Sequence, residues 1–291
     1  MNYLFVINYN SDAQVYSLLV QSDLSCLNIN SVIVYSNGAN PLLGQPSHWS
    51  NTLSDLELTF LFGENKGYAA AINHCIAWAR SHLDDAQMLF FSNADIVIHP
   101  GTNESTYPCA LYDVCGFPVY QRKFLVFDKI YVYSPLVPVS LSKYLARFRS
   151  PSYGLSQIVH GSLFAIRMDF LSSHRLCLSE DYFLYWEELD FCYRAGRCGA
   201  KIGVSDEVSV VHDGEKAGSL SSARYFMLRN GLYFYSSIFR PMILGYLLAF
   251  LWLASNVLYL PLALLREQDI DWFVASLKDF LFGIRGPRYS K

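Results

Sequence analysis

Apolar and polar residues alternate in blocks along the first hundred positions of the chain. Four apolar runs have the length and composition of buried β-strands, at residues 3–7, 31–35, 58–62 and 88–92. Two intervening stretches, 13–24 and 68–83, repeat apolar residues at helical spacing. Because strands that alternate with helices form βαβ units, we expect an α/β fold with a mostly parallel, Rossmann-like sheet and flanking helices.

Each of the four apolar runs is followed by a polar loop. These loops occupy residues 8–11, 36–40, 65–68 and 93–95. The carboxyl ends of parallel strands meet at one edge of a sheet, and ligands of such sheets bind outside that edge. The four loops therefore predict a single binding site.

The fourth loop carries an aspartate between bulky apolar residues. Asp95 follows Phe90 and Phe91 and precedes Ile96 and Val97. A carboxylate in such surroundings is costly to desolvate unless a cation meets it, and a divalent ion with a preference for oxygen ligands is the usual partner. Asn and Asp also favour turns, so a simple turn between two strands is the alternative.

A second acidic cluster lies directly behind five bulky residues. Glu187, Glu188 and Asp190 follow the stretch 182–186, which reads Tyr-Phe-Leu-Tyr-Trp. Burial beside such a wall raises the pKa of a carboxyl group towards that of a useful general base. The alternative is a helix start in which acids complement the helix dipole and Asp190 pairs with Arg194.

Two later runs predict further strands. The run at 158–166 is interrupted by Gly161 and Ser162, and a short run at 209–211 leads into His212. An imidazole at the end of a strand is either a metal ligand or a capped surface residue, and the sequence leaves both open. The other six histidines are expected to be incidental.

Composition and missing motifs exclude several classes of protein. The net charge is −3 with a pI of about 6.1, and no basic patch is dense enough for nucleic acid, so we expect no nucleic-acid partner. G-x-G-x-x-G is absent after the first strand, and neither a P-loop nor a G-x-S-x-G motif occurs. The seven cysteines include no C-x-x-C pair, so we expect neither a zinc site nor a disulfide framework.

The last fifth of the chain is unusually apolar. Residues 241–265 carry no formal charge, and as one helix they would extend about 37 Å, against about 30 Å for a bilayer core. Basic residues on both sides conflict with the positive-inside rule. We therefore expect a bent or re-entrant membrane-associated hairpin, followed by an amphipathic helix over 270–284. The expected organisation is a site-bearing domain, 1–235, and a helical segment, 236–291.

A basic stretch lies between the two acidic motifs. From Gln121 to Ser156, six Lys and Arg residues accompany a single acid, Asp128. Such a local positive excess is either a solvated loop or a contact with phosphates or a membrane surface.

Together, these motifs resemble those of the family-2 glycosyltransferases with the GT-A fold, especially their bacterial rhamnosyltransferase-like members. Residues 7–11 are similar to the family's V-N-Y-N-S, and residues 65–73 to its N-x-G-[FY]-[AG]-x-[AG]-x-N. Residues 93–95 look like the N-P-D form of its D-x-D motif, and residues 187–194 match E-D-x-D-x-x-x-R. His212 stands where the family carries H-x-x-G-x-S.

The resemblance covers about residues 3–235 and departs from the family pattern at three places. Ser36 stands where the family's V-D-N has an acid, Glu188 replaces the commoner Asp, and the terminal Ser of the histidine motif is missing. The longer Glu188 side chain extends the reach of the expected base by one methylene group.

The resemblance implies a role for each matching residue. It implies a nucleotide-sugar-binding set made by Tyr9, Asn10, Asn37, Asn65, Gly67, Tyr68, Asn73 and Asn93, in which Asn73 supports the loop. It implies that Asp95 and His212 hold Mg²⁺ or Mn²⁺ on the diphosphate, where the cation offsets the charge of the leaving group. It implies that Glu188 is the base for the acceptor hydroxyl, with Glu187 and Asp190 positioning base or acceptor.

By this resemblance the protein is expected to be a metal-dependent, inverting glycosyltransferase of hexosyl or rhamnosyl groups. The donor would be a nucleotide-diphosphate sugar, and the acceptor a lipid-linked glycan of bacterial O-antigen or capsule synthesis. The expected location is the cytoplasmic face of the cell membrane.

The alternative function is that of a non-catalytic, membrane-attached sugar-nucleotide or glycan binding protein of the same fold. A nucleotidyltransferase is a third possibility, and the chain lacks the usual Gly-rich basic loop of that class.

Overall fold

The structure is a computed structural model, and it describes residues 1–38, 53, 56–101, 105–121, 123–128, 153–212, 220–238, 242–258, 260–261 and 270–287. Its strands are β1 Asn2–Asn8, β2 Ile29–Asn37, β3 Glu57–Gly63, β4 Met88–Asn93, β5 Val97–Pro100, β6 Val114–Gly116, β7 Val119–Gln121, β8 Phe124–Phe127, β9 Gly154–Leu155, β10 Leu163–Arg167, β11 Ile202–Val204 and β12 Val208–Val211. Its α-helices are α1 Asp12–Gln21, α2 Tyr68–His82, α3 Met168–His174, α4 Glu187–Arg197, α5 Leu220–Ile238, α6 Met242–Val257 and α7 Asp271–Leu281. Most of the predicted basic stretch, at 122 and 129–152, lies outside the described residues.

Eight strands form the main sheet, in the order β3-β2-β1-β4-β10-β6-β11-β9. The four strands predicted from the first hundred residues pair parallel with one another, whereas β10 runs antiparallel to both β4 and β6. Asn8 pairs with Ser36 and Ile7 with Asn93, so the polar ends of β1, β2 and β4 meet at one edge. The predicted α/β architecture is therefore confirmed.

Strand β1 lies at the centre of the molecule and is buried on both faces. Leu4 and Val6 belong to a core that includes side chains of α1, while Phe5 and Ile7 belong to a second core that includes those of α2. This alternation is typical of a parallel strand covered by helices on both sides. The carboxyl edge of the sheet is consequently a rigid platform for side chains.

A second sheet has four strands, in the order β5-β12-β7-β8. Strand β12 pairs antiparallel with β5, so that Val211 lies opposite Val97. The residues just outside this pair, before Val97 and after Val211, are therefore neighbours.

Helices α5, α6 and α7 pack together and against the aromatic residues before α4. Trp186, Tyr225, Trp252 and Trp272 are buried in their common core. Helix α5 runs through the expected boundary between residues 235 and 236, so the helical segment shares a core with the site-bearing part of the chain.

The predicted amphipathic helix is present as α7. Ser276 and Asp279 are buried, whereas the apolar Val274 and Leu281 are 64% and 78% exposed. Polar contacts hold the buried side against α5, because the Tyr225 hydroxyl donates to Asp279 at 2.5 Å and the Ser276 hydroxyl donates to the Tyr225 carbonyl at 3.0 Å. Helix α7 therefore leaves part of its apolar surface exposed.

The uncharged stretch contains α6, which has 16 residues. In the described part of the chain, no helix combines the length and the apolar character needed to cross a membrane. Helix α6 nevertheless exposes a row of large side chains. We call this row the α6 apolar face, and it comprises Met242, Ile243, Tyr246, Leu247 and Phe250. Their exposed fractions range from 52% to 81%, which is unusual for adjacent apolar residues.

Candidate active site

The polar end of β4 lies at the carboxyl edge of the main sheet. The backbone N–H of Asn93 donates to the carbonyl of Ser162 at 3.0 Å, and the Ala94 side chain is buried. The side chain of Asp95 follows and is 18% exposed. Part of its carboxylate can therefore reach a ligand from solvent.

Asp95 and His212 are in direct contact. Asp95 Oδ2 lies 3.0 Å from His212 Nε2. The pairing of β5 with β12 explains the contact, because Asp95 precedes β5 and His212 follows β12. The structure thus brings together the two residues that the sequence predicted as metal ligands.

This pair suits a divalent cation. A carboxylate oxygen is a preferred ligand of Mg²⁺ and Mn²⁺, and neutral imidazole is the commonest nitrogen ligand of metals in proteins. Two ligands on adjacent corners of an octahedron with bonds of about 2.1 Å lie about 3 Å apart, which matches the observed separation. No group of three or more His, Cys, Asp and Glu side chains gathers as a metal site among the described residues, so water or diphosphate oxygens would complete the coordination.

The ends of β1 and β2 carry residues expected to hold a nucleotide. Tyr9 is half exposed, and a Cβ added to Gly38 would lie 3.5 Å from its ring. Asn10, beside it, is exposed and has a left-handed backbone with φ 51°. Asn37 is buried and donates to the Gly67 carbonyl at 3.4 Å, but its Oδ1 has no partner among the described residues. A buried acceptor without a donor is costly, so a ligand N–H at this point would stabilise it.

The loop before α2 is shaped by a glycine. Gly67 has φ +104°, and a Cβ there would lie 2.5 Å from the carbonyl oxygen of Phe183, so other residues would be strained or would clash. Asn65 Oδ1 accepts the Gly67 N–H at 3.1 Å, and the Tyr68 N–H donates to the Phe183 carbonyl at 3.0 Å. The loop is thereby fixed to the segment that precedes the second acidic cluster.

Glu187 and Glu188 occupy the first turn of α4. Burial raises the pKa of Glu188, and burial together with the charge of Glu188 raises the pKa of Glu187 well above its ordinary value. Oε2 of each carboxyl group has no hydrogen-bond partner among the described residues. Because two adjacent carboxyl groups in such surroundings resist double ionisation, the pair holds one of its protons to higher pH than an ordinary glutamate.

Two tyrosines show that the acidic pair and Asp95 belong to one site. The pKa of Tyr68 is raised well above its ordinary value by burial, then by Glu187 and Glu188, and further by Asp95. Burial raises the pKa of Tyr185 as well, and the same three carboxylates add to it. Both phenol groups therefore lie within electrostatic range of carboxylates from β4 and from α4.

A short segment joins the two ends of the site. The Tyr68 hydroxyl donates to the Gly161 carbonyl at 2.7 Å, and a Cβ added to Gly161 would lie 3.2 Å from Glu188 Oε1. The next carbonyl, that of Ser162, accepts the Asn93 N–H, and His160 Nδ1 accepts the Ser162 N–H at 3.1 Å. Residues 160–162 thus lie between the Asp95 end and the Glu188 end.

This segment is not among the residues that the sequence predicts for the site. The apolar run predicts a single strand over residues 158–166 with an incidental His160, whereas β10 begins only at Leu163. The interruption of an apolar run by Gly161 and Ser162 was the one available signal, since a glycine in a strand often marks a close approach.

Two residues expected at the site are engaged in other contacts. Asp190 is buried and its Oδ2 accepts the Nε–H of Arg194 at 2.8 Å, which is the ion pair that the sequence offered as the alternative. The amide of Asn73 donates to the Leu178 carbonyl at 2.9 Å and to Glu180 Oε1 at 2.8 Å, and its Oδ1 accepts the Leu178 N–H at 2.8 Å. The amide of Asn73 therefore braces the segment before the acidic cluster.

A cavity of about 510 Å³ lies at the opposite edge of the parallel strands. Asn2, Met88, Arg167 and Glu207 are among the residues that line it. Arg167 is already paired there with Asp169 at 2.8 Å. None of the residues that face Asp95 or Glu188 line this cavity, so we assign the functional site to the carboxyl edge.

Comparison with known proteins identifies the fold. No protein-family model and no curated protein sequence matches this chain. The crystal structure of GalNAc-T7 with UDP, GalNAc and Mn²⁺ aligns over 81% of the chain with a TM-score of 0.54 and 14% identity. Residues 1–349 of S. aureus TarS, alone and with UDP-GlcNAc, align over 97% with a TM-score of 0.53 and 12% identity.

The alignments differ in how much of each neighbour they include. The chain covers 50% of the GalNAc-T7 chain and 80% of the TarS 1–349 chain. At these identities the likeness shows the fold alone. The chain has the GT-A glycosyltransferase fold that its motifs predicted.

Replacing Glu187 by Gln tests the raised pKa of the acidic pair. Since the folded-state pKa lies above the ordinary value of 4.5, the folded protein binds more protons than the unfolded chain above that pH, and the wild type loses stability as pH rises through the folded pKa. Glutamine does not titrate. We therefore expect the stability of Glu187→Gln relative to the wild type to increase as the pH rises above 4.5. The measurement is the free energy of unfolding of both proteins from urea titrations at a series of pH values.

The exposed Glu64, whose side chain is 85% accessible, provides the matched control. Glu64→Gln should not reproduce the trend. A constant difference between Glu187→Gln and the wild type across this pH range would contradict a raised pKa at Glu187.

Proposed function

We propose that the protein is a divalent-cation-dependent, inverting glycosyltransferase that uses a nucleotide-diphosphate sugar. The observation that carries this proposal is the meeting of the Asp95–His212 pair and the Glu187–Glu188 pair in one site, joined by residues 160–162. The fold supports it, because neighbours of the same fold were solved with UDP, UDP-GlcNAc and Mn²⁺.

The donor nucleotide would lie at the ends of β1 and β2. The half-exposed ring of Tyr9 offers an apolar surface for a base, and the unpartnered Oδ1 of Asn37 offers an acceptor for a base N–H. The left-handed Gly67 lets the backbone before α2 approach the ligand closely. UDP sugars are the first donors to test, because UDP is the nucleotide in the neighbours' structures.

The diphosphate would lie beside Asp95 and His212. These two side chains would hold Mg²⁺ or Mn²⁺, and a bound cation offsets the negative charge that develops on the diphosphate as the glycosidic bond breaks. Their contact across the β5–β12 pair supports this location for the cation. Asn93, bonded to Ser162, keeps the end of β4 in place.

The acceptor hydroxyl would approach from the side of Glu188. As its oxygen attacks the anomeric carbon, the bond from that carbon to the diphosphate oxygen breaks and Glu188 takes the hydroxyl proton. A base opposite the leaving group gives inversion. Burial raises the pKa of Glu188, which makes its carboxylate a stronger base than that of an exposed glutamate.

The acceptor we propose is a lipid-linked glycan of bacterial surface polysaccharide synthesis, receiving a rhamnosyl or other hexosyl group. The α6 apolar face and the exposed Val274 and Leu281 of α7 suit contact with the hydrocarbon boundary of a bilayer. The exposed Lys278 lies on the same side of α7 as these two residues and suits anionic headgroups. In this proposal the enzyme docks on the cytoplasmic face of the cell membrane.

Glu188→Gln tests the assignment of the base. With Mn²⁺, a panel of nucleotide sugars and a lipid-linked acceptor, the wild type should transfer sugar and release nucleoside diphosphate. The variant should transfer about 10²- to 10⁴-fold more slowly, because that is the usual contribution of a general base. Product formation is followed by mass spectrometry.

The exposed Glu64→Gln serves as the control and should keep full activity. Full activity of Glu188→Gln would exclude Glu188 as the base. Saturable nucleotide-sugar binding by the wild type, with no diphosphate release for any donor and acceptor, would instead support the non-catalytic binding protein.

A second variant tests the membrane surface. The double substitution Ile243→Glu and Phe250→Glu places two charges on the α6 apolar face. In the wild type, burial of each of these two side chains in lipid would contribute about 1.5–3 kcal/mol to the free energy of membrane binding. Co-sedimentation with vesicles of 70:30 neutral and anionic phospholipid should fall at least about tenfold for this variant.

Phe62→Glu is the matched control, since Phe62 is 67% exposed on β3. It should bind vesicles as the wild type does. Undiminished binding of the α6 double variant, with its fold verified by circular dichroism, would contradict docking through α6.

A further inference from the structure

The backbone directly before the acidic pair is strained. Tyr185 and Trp186 are consecutive residues with φ of 66° and 80°, a region that aromatic residues seldom adopt. Trp186 is also the N-cap of α4. The direction of the first turn of α4, and hence of Glu188, depends on this unfavourable conformation, so other contacts must impose it.

A buried asparagine on α5 makes those contacts. Asn230 Nδ2 donates to the Leu184 carbonyl at 2.9 Å and to the Tyr185 carbonyl at 3.1 Å. Its Oδ1 accepts the Nε–H of Arg229 at 3.0 Å, which fixes the orientation of the amide so that both donors face the loop. Asn230 is fully buried, so water does not compete for these bonds.

The neighbouring Arg229 anchors the other end of the same loop. Its guanidinium donates to the Gly286 carbonyl at 2.9 Å, while the Gly286 N–H donates to the Asp181 carbonyl at 3.2 Å. Arg285 adds an ion pair with Asp181. The loop 181–186 is therefore held at its beginning through Arg229 and at its end by Asn230.

Packing against α5 leaves the loop little freedom to rearrange. The indole N–H of Trp186 donates to the Met227 carbonyl at 3.1 Å, and its ring lies 5.3 Å from that of Trp252 on α6. A Cβ added to Gly231 would come within 2.7 Å of Trp186 and 2.4 Å of Trp252. The close approach of α5 to the loop thus requires glycine at the residue after Asn230.

The strained backbone sets the position of the acidic pair. Tyr185 and Trp186 lead directly into the first turn of α4, with Trp186 as its N-cap, and the Phe183 carbonyl accepts the Tyr68 N–H. A change of the Tyr185 and Trp186 dihedral angles would therefore move the acidic pair relative to Gly161 and Asp95. A misplacement of about 1 Å at a reacting group can slow a reaction about 10²-fold.

We propose that Asn230, oriented by Arg229, is a positioning residue that holds the left-handed backbone at Tyr185 and Trp186 and so directs Glu188 at the acceptor hydroxyl. This inference rests on the proposed function for its kinetic consequence. The helices after residue 220 would then be part of the catalytic apparatus through α5, in addition to any contact that α6 makes with a membrane.

Asn230→Ala removes both donors and tests the proposal kinetically. We expect kcat to fall about 10²-fold with little change in the donor KM, because the nucleotide pocket lies on β1, β2 and the loop before α2. The acidic limb of the kcat profile against pH should also shift, since the surroundings of Glu188 change. Asn230→Asp keeps the side-chain volume and the acceptor for Arg229 but loses the two donors. It should show the same fall in kcat with little change in KM, and it provides the test if Asn230→Ala does not fold.

Asn256→Ala is the matched control. Asn256 donates to the Trp252 carbonyl at 2.8 Å within α6, so its loss removes a comparable hydrogen bond away from the loop. Its kcat and its pH profile should equal those of the wild type. An unchanged kcat in folded Asn230→Ala and Asn230→Asp, or an equal loss in Asn256→Ala, would overturn the positioning role.

Hydrogen exchange tests the same inference without relying on activity. The backbone amides of residues 182–190 should exchange about tenfold faster in Asn230→Ala than in the wild type, and at the wild-type rate in Asn256→Ala. Unchanged exchange in Asn230→Ala would refute the proposal even with an active enzyme. Faster exchange in a protein that transfers no sugar would refute the proposed function and leave the loop assignment standing.

Discussion

The contacts made by residues 160–162 are the constraint on which the site depends. The Gly161 carbonyl accepts the Tyr68 hydroxyl, its Cα lies against Glu188 Oε1, and the Ser162 carbonyl accepts the Asn93 N–H. One short stretch of backbone thereby sets the separation between the carboxylate after β4 and the carboxylates of α4. Because β10 begins immediately afterwards and pairs with β4, this separation is fixed by the sheet.

The two ends of the site differ in their electrostatic character. Asp95 and His212 are partly exposed and lie 3.0 Å apart, an arrangement that a cation would stabilise. Glu187 and Glu188 are shielded by the aromatic residues before α4, and burial raises the pKa of both. One end of the site can hold a cation and the other can accept a proton. This combination suits a reaction in which an anionic leaving group departs while a hydroxyl group loses its proton.

Much of this arrangement was predictable from the sequence because it follows from local patterns. The strands from β1 to β4 were apolar runs bounded by polar loops, and α2 carried a helical stripe of which Ile72 and Ile76 are buried. The approach of Asp95 to His212 was expected only from the family resemblance, because the β5–β12 pair that produces it joins distant parts of the chain.

The rest depends on contacts between distant residues that no local pattern encodes. The polar contact between Tyr225 of α5 and Asp279 of α7 joins residues more than fifty positions apart, and the apolar pattern of α7 gives no sign of it. The partner of Asn73 is the backbone of Leu178, which lies about a hundred positions further along the chain. The left-handed Tyr185 and Trp186 were invisible in the sequence, since aromatic residues seldom adopt that conformation.

The most direct test of the account is a crystal structure of the protein with UDP and Mn²⁺. The account predicts a cation bound to both Asp95 Oδ2 and His212 Nε2, a base beside Tyr9 and Asn37, and Glu188 across the cleft from the diphosphate. A cation and nucleotide bound away from the carboxyl edge of the main sheet, or a Glu188 carboxylate that faces no part of the bound ligand's cleft, would contradict it.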